Sequence, residues 1–156
     1  MHLPESLLHE PVTTHESASV SEAVHILRER GIGALFIVDE EKRPVGVITD
    51  RDLSLGCFRE KLDPNATPVS KLMTSEVWAL DPTTDLLRTT AFLRRHRIRR
   101  LPIVDEEKRI RAVVSADDLL AFVSSELRWA SEAATTGIQG ERAAFPAAAK
   151  SSRGRE

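Results

Sequence analysis

Val20, Ala23, Val24 and Leu27 recur at i, i+3, i+4 and i+7, the spacing that lays apolar side chains along one face of an α-helix. Ser19 and Glu22 make an S-x-x-E capping box at the start of this run and Gly31 follows it, so a helix is predicted to begin behind Ser19 and to stop at Gly31. Two short apolar runs, Ala34–Val38 and Val45–Thr49, flank a charged turn and read as strands, with a second helix after Thr49. The sequence then returns to this order. Leu86, Thr89, Thr90 and Leu93 stand in helical register behind Asp85, a predicted N-cap; Leu101–Val104 and Ile110–Ser115 read as strands, and another helix follows. With first strands near Pro11–Thr14 and Glu76–Leu80, each half reads β-α-β-β-α.

The halves are copies. IVDEEKR at Ile37–Arg43 recurs unchanged at Ile103–Arg109, and the same 66-residue offset gives 11 identities in the 19 positions of Leu35–Leu53 against Leu101–Leu119. A period this long is that of a small domain occurring twice, with the copies packed on each other. The predicted boundaries are 1–62 for the first unit, 63–68 for a linker carrying two prolines and an asparagine, and 69–134 for the second unit. Its last helix is predicted to run to about Ala134, with Leu120, Val123, Leu127 and Ala130 as an apolar stripe longer than the repeat needs. Residues 135–156 carry few large apolar side chains and are predicted to be a flexible tail.

Composition narrows the function classes. Only 4% of the 156 residues are aromatic, with no Tyr, so the core is aliphatic and suits an α/β (α+β) fold rather than a sandwich. A net charge of −2 gives no global attraction to nucleic acid or to anionic membrane. The single cysteine, Cys57, the absence of a basic and apolar leader in MHLPESLLHEPV, and the lack of a long apolar run point to a cytoplasmic protein. The five histidines show no metal-ligand spacing, and no nucleophile elbow, Walker or dinucleotide-binding motif occurs. Neither an enzyme nor a metal protein is expected, and no cofactor is assigned.

GIGALFIVDEEKRPVGVITDRDLSL and HRIRRLPIVDEEKRIRAVVSADDLL, each in a strand-helix-strand-strand-helix unit, resemble the cystathionine-β-synthase (CBS) domain, here as a tandem pair, and VSKLMTSEV at Val69–Val77 resembles the lead-in to a second copy. The resemblance implies two units related by a pseudo-twofold axis and a regulatory module that binds an adenosyl ligand in clefts between the copies. AMP, ADP, ATP, S-adenosylmethionine and an NAD-like molecule are the ligands it suggests. It also implies a homodimer that reports occupancy to a separate effector protein.

Two groups of residues are candidates for that site. Thr49 with Asp52, and Ser115 with Asp118, fit the family's G-h-h-[ST]-x-x-D pattern, in which the hydroxyl lies near ligand phosphate or ribose and the carboxylate accepts from the ribose hydroxyls. T-x-x-D and S-x-x-D are equally the pattern of a capping box that only begins a helix. Arg99, Arg100 and Pro102 lie in a segment that resembles a phosphate-contacting strand of the AMP-sensing kinase's γ subunit, and guanidinium groups bind phosphate oxygens in bidentate fashion. The first copy has Gly33, Ala34 and Phe36 at those positions, so the second copy is expected to hold the phosphorylated ligand. The alternatives are a ligand-free dimeric scaffold, or a nucleic-acid or polyphosphate binder using Arg94–Arg100.

Overall fold

The structure is a computed structural model that describes residues 3–144, with side chains described through residue 136. Helix α1 (Val20–Arg30) starts as its capping box requires: the Glu22 N–H donates to Ser19 Oγ at 3.1 Å and the Ser19 N–H donates to the Glu22 carboxylate at 2.7 Å. The Ser19 N–H, and after it the Ser19 hydroxyl, which donates to the same carboxylate at 3.0 Å, hold the Glu22 carboxyl below its usual range against the opposing effect of burial. The helix leaves through Gly31 in the left-handed region at φ 61°. At the corresponding end of α3 (Leu86–His96), which Asp85 caps as predicted, the exit residue is Arg97 at φ 54°. An arginine there bears the steric cost that glycine avoids.

Alternation along the strands decides what each face meets. Strand β1 (Thr13–His15) runs parallel to β2 (Ala34–Val38), and β2 runs antiparallel to β3 (Pro44–Thr49). Leu35, Ile37 and Ile48 point to one side and join Val20, Ala23, Leu27 and, from α2 (Asp50–Glu60), Leu53 in the first core. Phe36, Val38 and Val47 point to the other side, where they meet Val77, Ile110 and Val113 of the second copy. Strands β4 (Arg100–Val104) and β5 (Ile110–Ser115) repeat the register of the first hairpin down to the bulge, Arg100 pairing with Ser115 as Ala34 pairs with Thr49. The first strand expected near Glu76–Leu80 shrinks to one parallel bridge, Leu80 with Ile103.

The lead-ins are exchanged between copies. Val47 and Thr74 trade two backbone hydrogen bonds of 2.9 Å, and Val69, Leu72 and Met73 pack into the first core. Reciprocally, His9 and Val113 trade bonds of 3.0 and 2.9 Å. The lead-ins therefore pack across the repeat: the segment opening at Val69 packs on the first copy's strands, and the segment preceding β1 packs on the second's. Gly46 lets the Met73 side chain lie against β3, since a Cβ there would lie 2.3 Å from Met73 Sδ and force that side chain to shift. Helix α4 (Ala116–Ala144) continues past the expected end at Ala134, and residues 145–156 of the expected tail lie outside the described residues. Among the described residues no helix is long and apolar enough to cross a membrane.

The two IVDEEKR turns join the hairpins and differ in their contacts. The Ile110 N–H donates to Lys42 O at 2.9 Å, and Arg43 Nε donates to Glu107 O at 3.3 Å. Asp105 accepts from the Arg109 N–H, from Arg109 Nε and from Arg111 Nε, all within 2.9 Å. Asp39, its counterpart, accepts the Arg43 N–H, and Val45 stands where the second copy has Arg111. Desolvation pushes the Asp105 carboxyl up, but the Arg109 N–H and the two guanidinium groups outweigh it and hold it at about 2.

Two consequences are measurable. Arg97→Gly relieves the left-handed strain and raises stability by about 0.5–1 kcal/mol, whereas Gly31→Ala lowers it by about 1 kcal/mol; urea melts in which Arg97→Gly leaves the midpoint unmoved would refute this. Because the Asp105 pKa lies below the unfolded value of about 3.9, its contribution is complete above that pH and disappears as the pH falls through about 2. Thermal melts of wild type and Asp105→Asn should show a gap at neutral pH that closes in this acid window, and a gap of constant size would count against the assignment.

Candidate functional site

Each antiparallel hairpin ends in a hydroxyl residue that begins the following helix. Thr49 Oγ1 accepts the Asp52 N–H at 3.2 Å, while Asp52 Oδ2 accepts the Thr49 N–H at 3.0 Å and the Thr49 hydroxyl at 2.7 Å. Ser115 Oγ accepts the Asp118 N–H at 3.1 Å and donates its own proton to the Asp118 carboxylate. Both are working caps, as the spacing alone allows. A capping carboxylate keeps further lone pairs for other donors, and in the second copy one is used: His9 Nε2 lies 3.1 Å from Asp118 Oδ2.

Two clefts open on the inner faces of the hairpins. The first, of about 410 Å³, has an apolar wall of Ala34, Phe36, Val47, Val77, Trp78 and Ile98. Its polar groups are Thr49, Asp50, Glu76, Arg99 and Arg100. The second, of about 360 Å³, is bounded by Ile32, Ala34, Phe36 and Val113 and carries His9, Glu10, Arg100, Ser115, Asp117 and Asp118. Both volumes fall in the range of small-molecule sites. Trp78 continues beyond the first cleft into an aromatic stack, its ring centroid 4.2 Å from that of His96, which lies 4.3 Å from that of Phe92.

The sequence candidates divide between these clefts differently from the expectation. Arg99 was grouped with Ser115 and Asp118, but it lines the cleft of Thr49; it stands just before β4, in the bend between α3 and the strand. Its guanidinium holds Asp117 through contacts of 2.9 and 3.1 Å. Arg100 lines both clefts. Asp52 lines neither; its carboxylate is taken up by the Thr49 cap, and it borders a shallow hollow beside Arg59 and Lys71. Pro102 also lines neither and is fully buried.

Asp50, Trp78, Glu76, His9 and Asp117 were not singled out by motif. Asp50 follows Thr49 directly and Asp117 stands two residues after Ser115, each in the first turn of the helix that follows, and both could have been found from that position. His9, Glu76 and Trp78 come from the exchanged lead-ins and first strands, and no local spacing marks them.

Comparison with known proteins agrees with this architecture. The family description of the CBS domain matches residues 6–55 and 69–125. An uncharacterised 33.4 kDa protein of the ribosomal RNA operon of Thermofilum pendens is 37% identical over 123 residues, 78% of this chain, and the chain spans only 39% of that relative's length. The CBS domain pair of protein MJ0100, solved with 5′-methylthioadenosine and S-adenosyl-L-methionine, superposes with a TM-score of 0.70 at 25% identity, covering 81% of this chain and 98% of that one. The cytosolic domain of the Mg2+ channel MgtE, solved with ATP, gives a TM-score of 0.64 at 30% identity over 74% of this chain and 46% of that one. With both copies matched, the shared hairpin register and the paired clefts are those of a tandem repeat, and the chain belongs to the CBS domain family.

Proposed function

We propose that this CBS pair is a regulatory module that binds an adenosyl ligand and passes its occupancy to an effector protein. The observation that carries the reading is the composition of the first cleft: an apolar and aromatic wall faces two arginines across a helix N-terminus capped by Thr49. A purine suits the wall, while a phosphate suits guanidinium groups and a helix N-terminus. The Arg99–Asp117 pair does not obstruct this, because both side chains are more than 60% exposed and such pairs contribute only about 0–1 kcal/mol. That MJ0100 and MgtE were solved with adenosyl ligands supports the same reading. The phosphorylated ligand is accordingly assigned to the cleft of Thr49, Arg99 and Arg100, not to that of Ser115 and Asp118.

A thermal-shift series with AMP, ATP and adenosine tests this. Ligand at 100 times its dissociation constant adds about 2.7 kcal/mol, which is a rise of roughly 5–10 °C for a chain of this size. Arg99→Ala should weaken AMP by roughly ten- to a hundredfold and leave adenosine nearly unchanged. A flat response to every adenosyl ligand would overturn the proposal and favour the scaffold reading.

We further propose that the chain forms a homodimer through α4. Leu120 and Leu127 on this helix are each more than 60% exposed and Val123 between them is exposed too, an apolar stripe on one face that a soluble monomer seldom leaves in water. Sedimentation should give a dimer at micromolar concentrations and a monomer after Leu127→Glu. A wild-type monomer at tens of micromolar would remove the hypothesis.

A further inference from the structure

The two clefts share a partition and differ in charge. Ala34, Phe36 and Arg100 belong to both. Arg100 stands on β4 directly opposite Ser115 on β5, so its guanidinium is the one cation common to the two sites. A guanidinium is a planar fork that engages one phosphate in bidentate fashion at a time. The first cleft supplements it with Arg99 against two carboxylates, Asp50 and Glu76. The second supplements it only with His9, which already faces Asp118, against three carboxylates, Glu10, Asp117 and Asp118, and the exposed, weak pair that links Asp117 to Arg99 opens when Arg99 turns to a phosphate in the first cleft. A phosphate dianion entering the second cleft would lose Arg100 to its neighbour and lie among like charges. Asp118, by contrast, suits the two donors of a ribose diol, and the excess of carboxylates suits a neutral or positively charged 5′ substituent.

We infer that the clefts take ligands of different class: one phosphorylated adenosyl molecule in the first, and in the second an adenosyl molecule without phosphate, either an uncharged nucleoside or a sulfonium cation. The inference rests on the adenosyl reading proposed above. Its structural basis is the sharing of Arg100 together with the unequal distribution of Arg99 and the three carboxylates.

Calorimetry on the intact chain separates the possibilities. AMP titrated alone should bind once per chain, and 5′-methylthioadenosine added to AMP-saturated protein should bind once more. Arg99→Gln should weaken AMP at least tenfold and leave the second event within twofold, while Asp118→Asn, which retains a capping side chain, should do the reverse. Two AMP molecules per chain of similar affinity, or loss of the 5′-methylthioadenosine event in the presence of AMP, would overturn the inference and leave the adenosyl reading standing. No binding of either molecule would overturn both. The stoichiometries are read on wild-type protein, so the test does not depend on either variant folding.

Discussion

The inner face of each hairpin has only the other hairpin to cover it. Phe36, Val38 and Val47 on one side and Ile110 and Val113 on the other are apolar strand residues, joined by Val77 of the lead-in, and the opposite face of the first hairpin already packs against helices. Leaving them in water would cost on the order of 1.5–3 kcal/mol for each large side chain, a large fraction of the stability of a small domain. The halves therefore meet face to face, and the two clefts are lined by residues at the margin of this contact, Phe36 and Val47 in one and Phe36 and Val113 in the other. Every feature of the candidate site follows from this contact. The arginines, the aromatic wall and the helix N-termini come from different parts of the chain and converge only because the two inner faces are closed on each other.

Exchange of the lead-ins reinforces that closure. Thr74 extends the first copy's β3 edge and His9 extends the second copy's β5 edge, each satisfying strand groups that would otherwise lack partners. Val69, fully buried in the first core, ties the start of the second copy to the body of the first. Neither half carries its whole core within its own repeat, which explains how two units of this size form one folded body. The exchange also delivers His9 and Glu10 to one cleft and Glu76 to Trp78 to the other, so the same segments that lock the pair together set the chemistry of its sites.

Duplication kept the backbone and released the side chains. Gly31 and Arg97 occupy the left-handed region at matching positions, as do Lys42 and Lys108, and the bulge in each hairpin falls at the same step. Against this constant frame, Gly33 and Ala34 correspond in the repeat to Arg99 and Arg100, and Phe36 to Pro102. Since each cleft draws residues from both copies, a substitution in one repeat changes the two clefts differently. Arg99 and Arg100 of the second copy both line the cleft headed by Thr49 of the first, and only Arg100 also lines the cleft of Ser115.

The sequence by itself determined the repeat, the helices and the strands, because these rest on local physics: 3.6-residue periodicity, an S-x-x-E box, a residue that tolerates positive φ, and alternation within short apolar runs. Strands Ala34–Val38 and Ile110–Ser115 stand where the pattern put them, and Ser19 and Asp85 cap the helices they were expected to cap. The tertiary structure alone decided which residues meet. The pattern cannot show that Val69 belongs to the preceding core, that Arg99 and Arg100 line a cleft headed by Thr49 of the other copy, or that His9 reaches Asp118, since each is a contact between distant segments whose partner is absent from any local window. The identical IVDEEKR turns make the same point. Asp105 gathers two guanidinium groups and Asp39 none, because Arg111 stands beside one turn and Val45 beside the other, and because packing directs Arg43 across to Glu107.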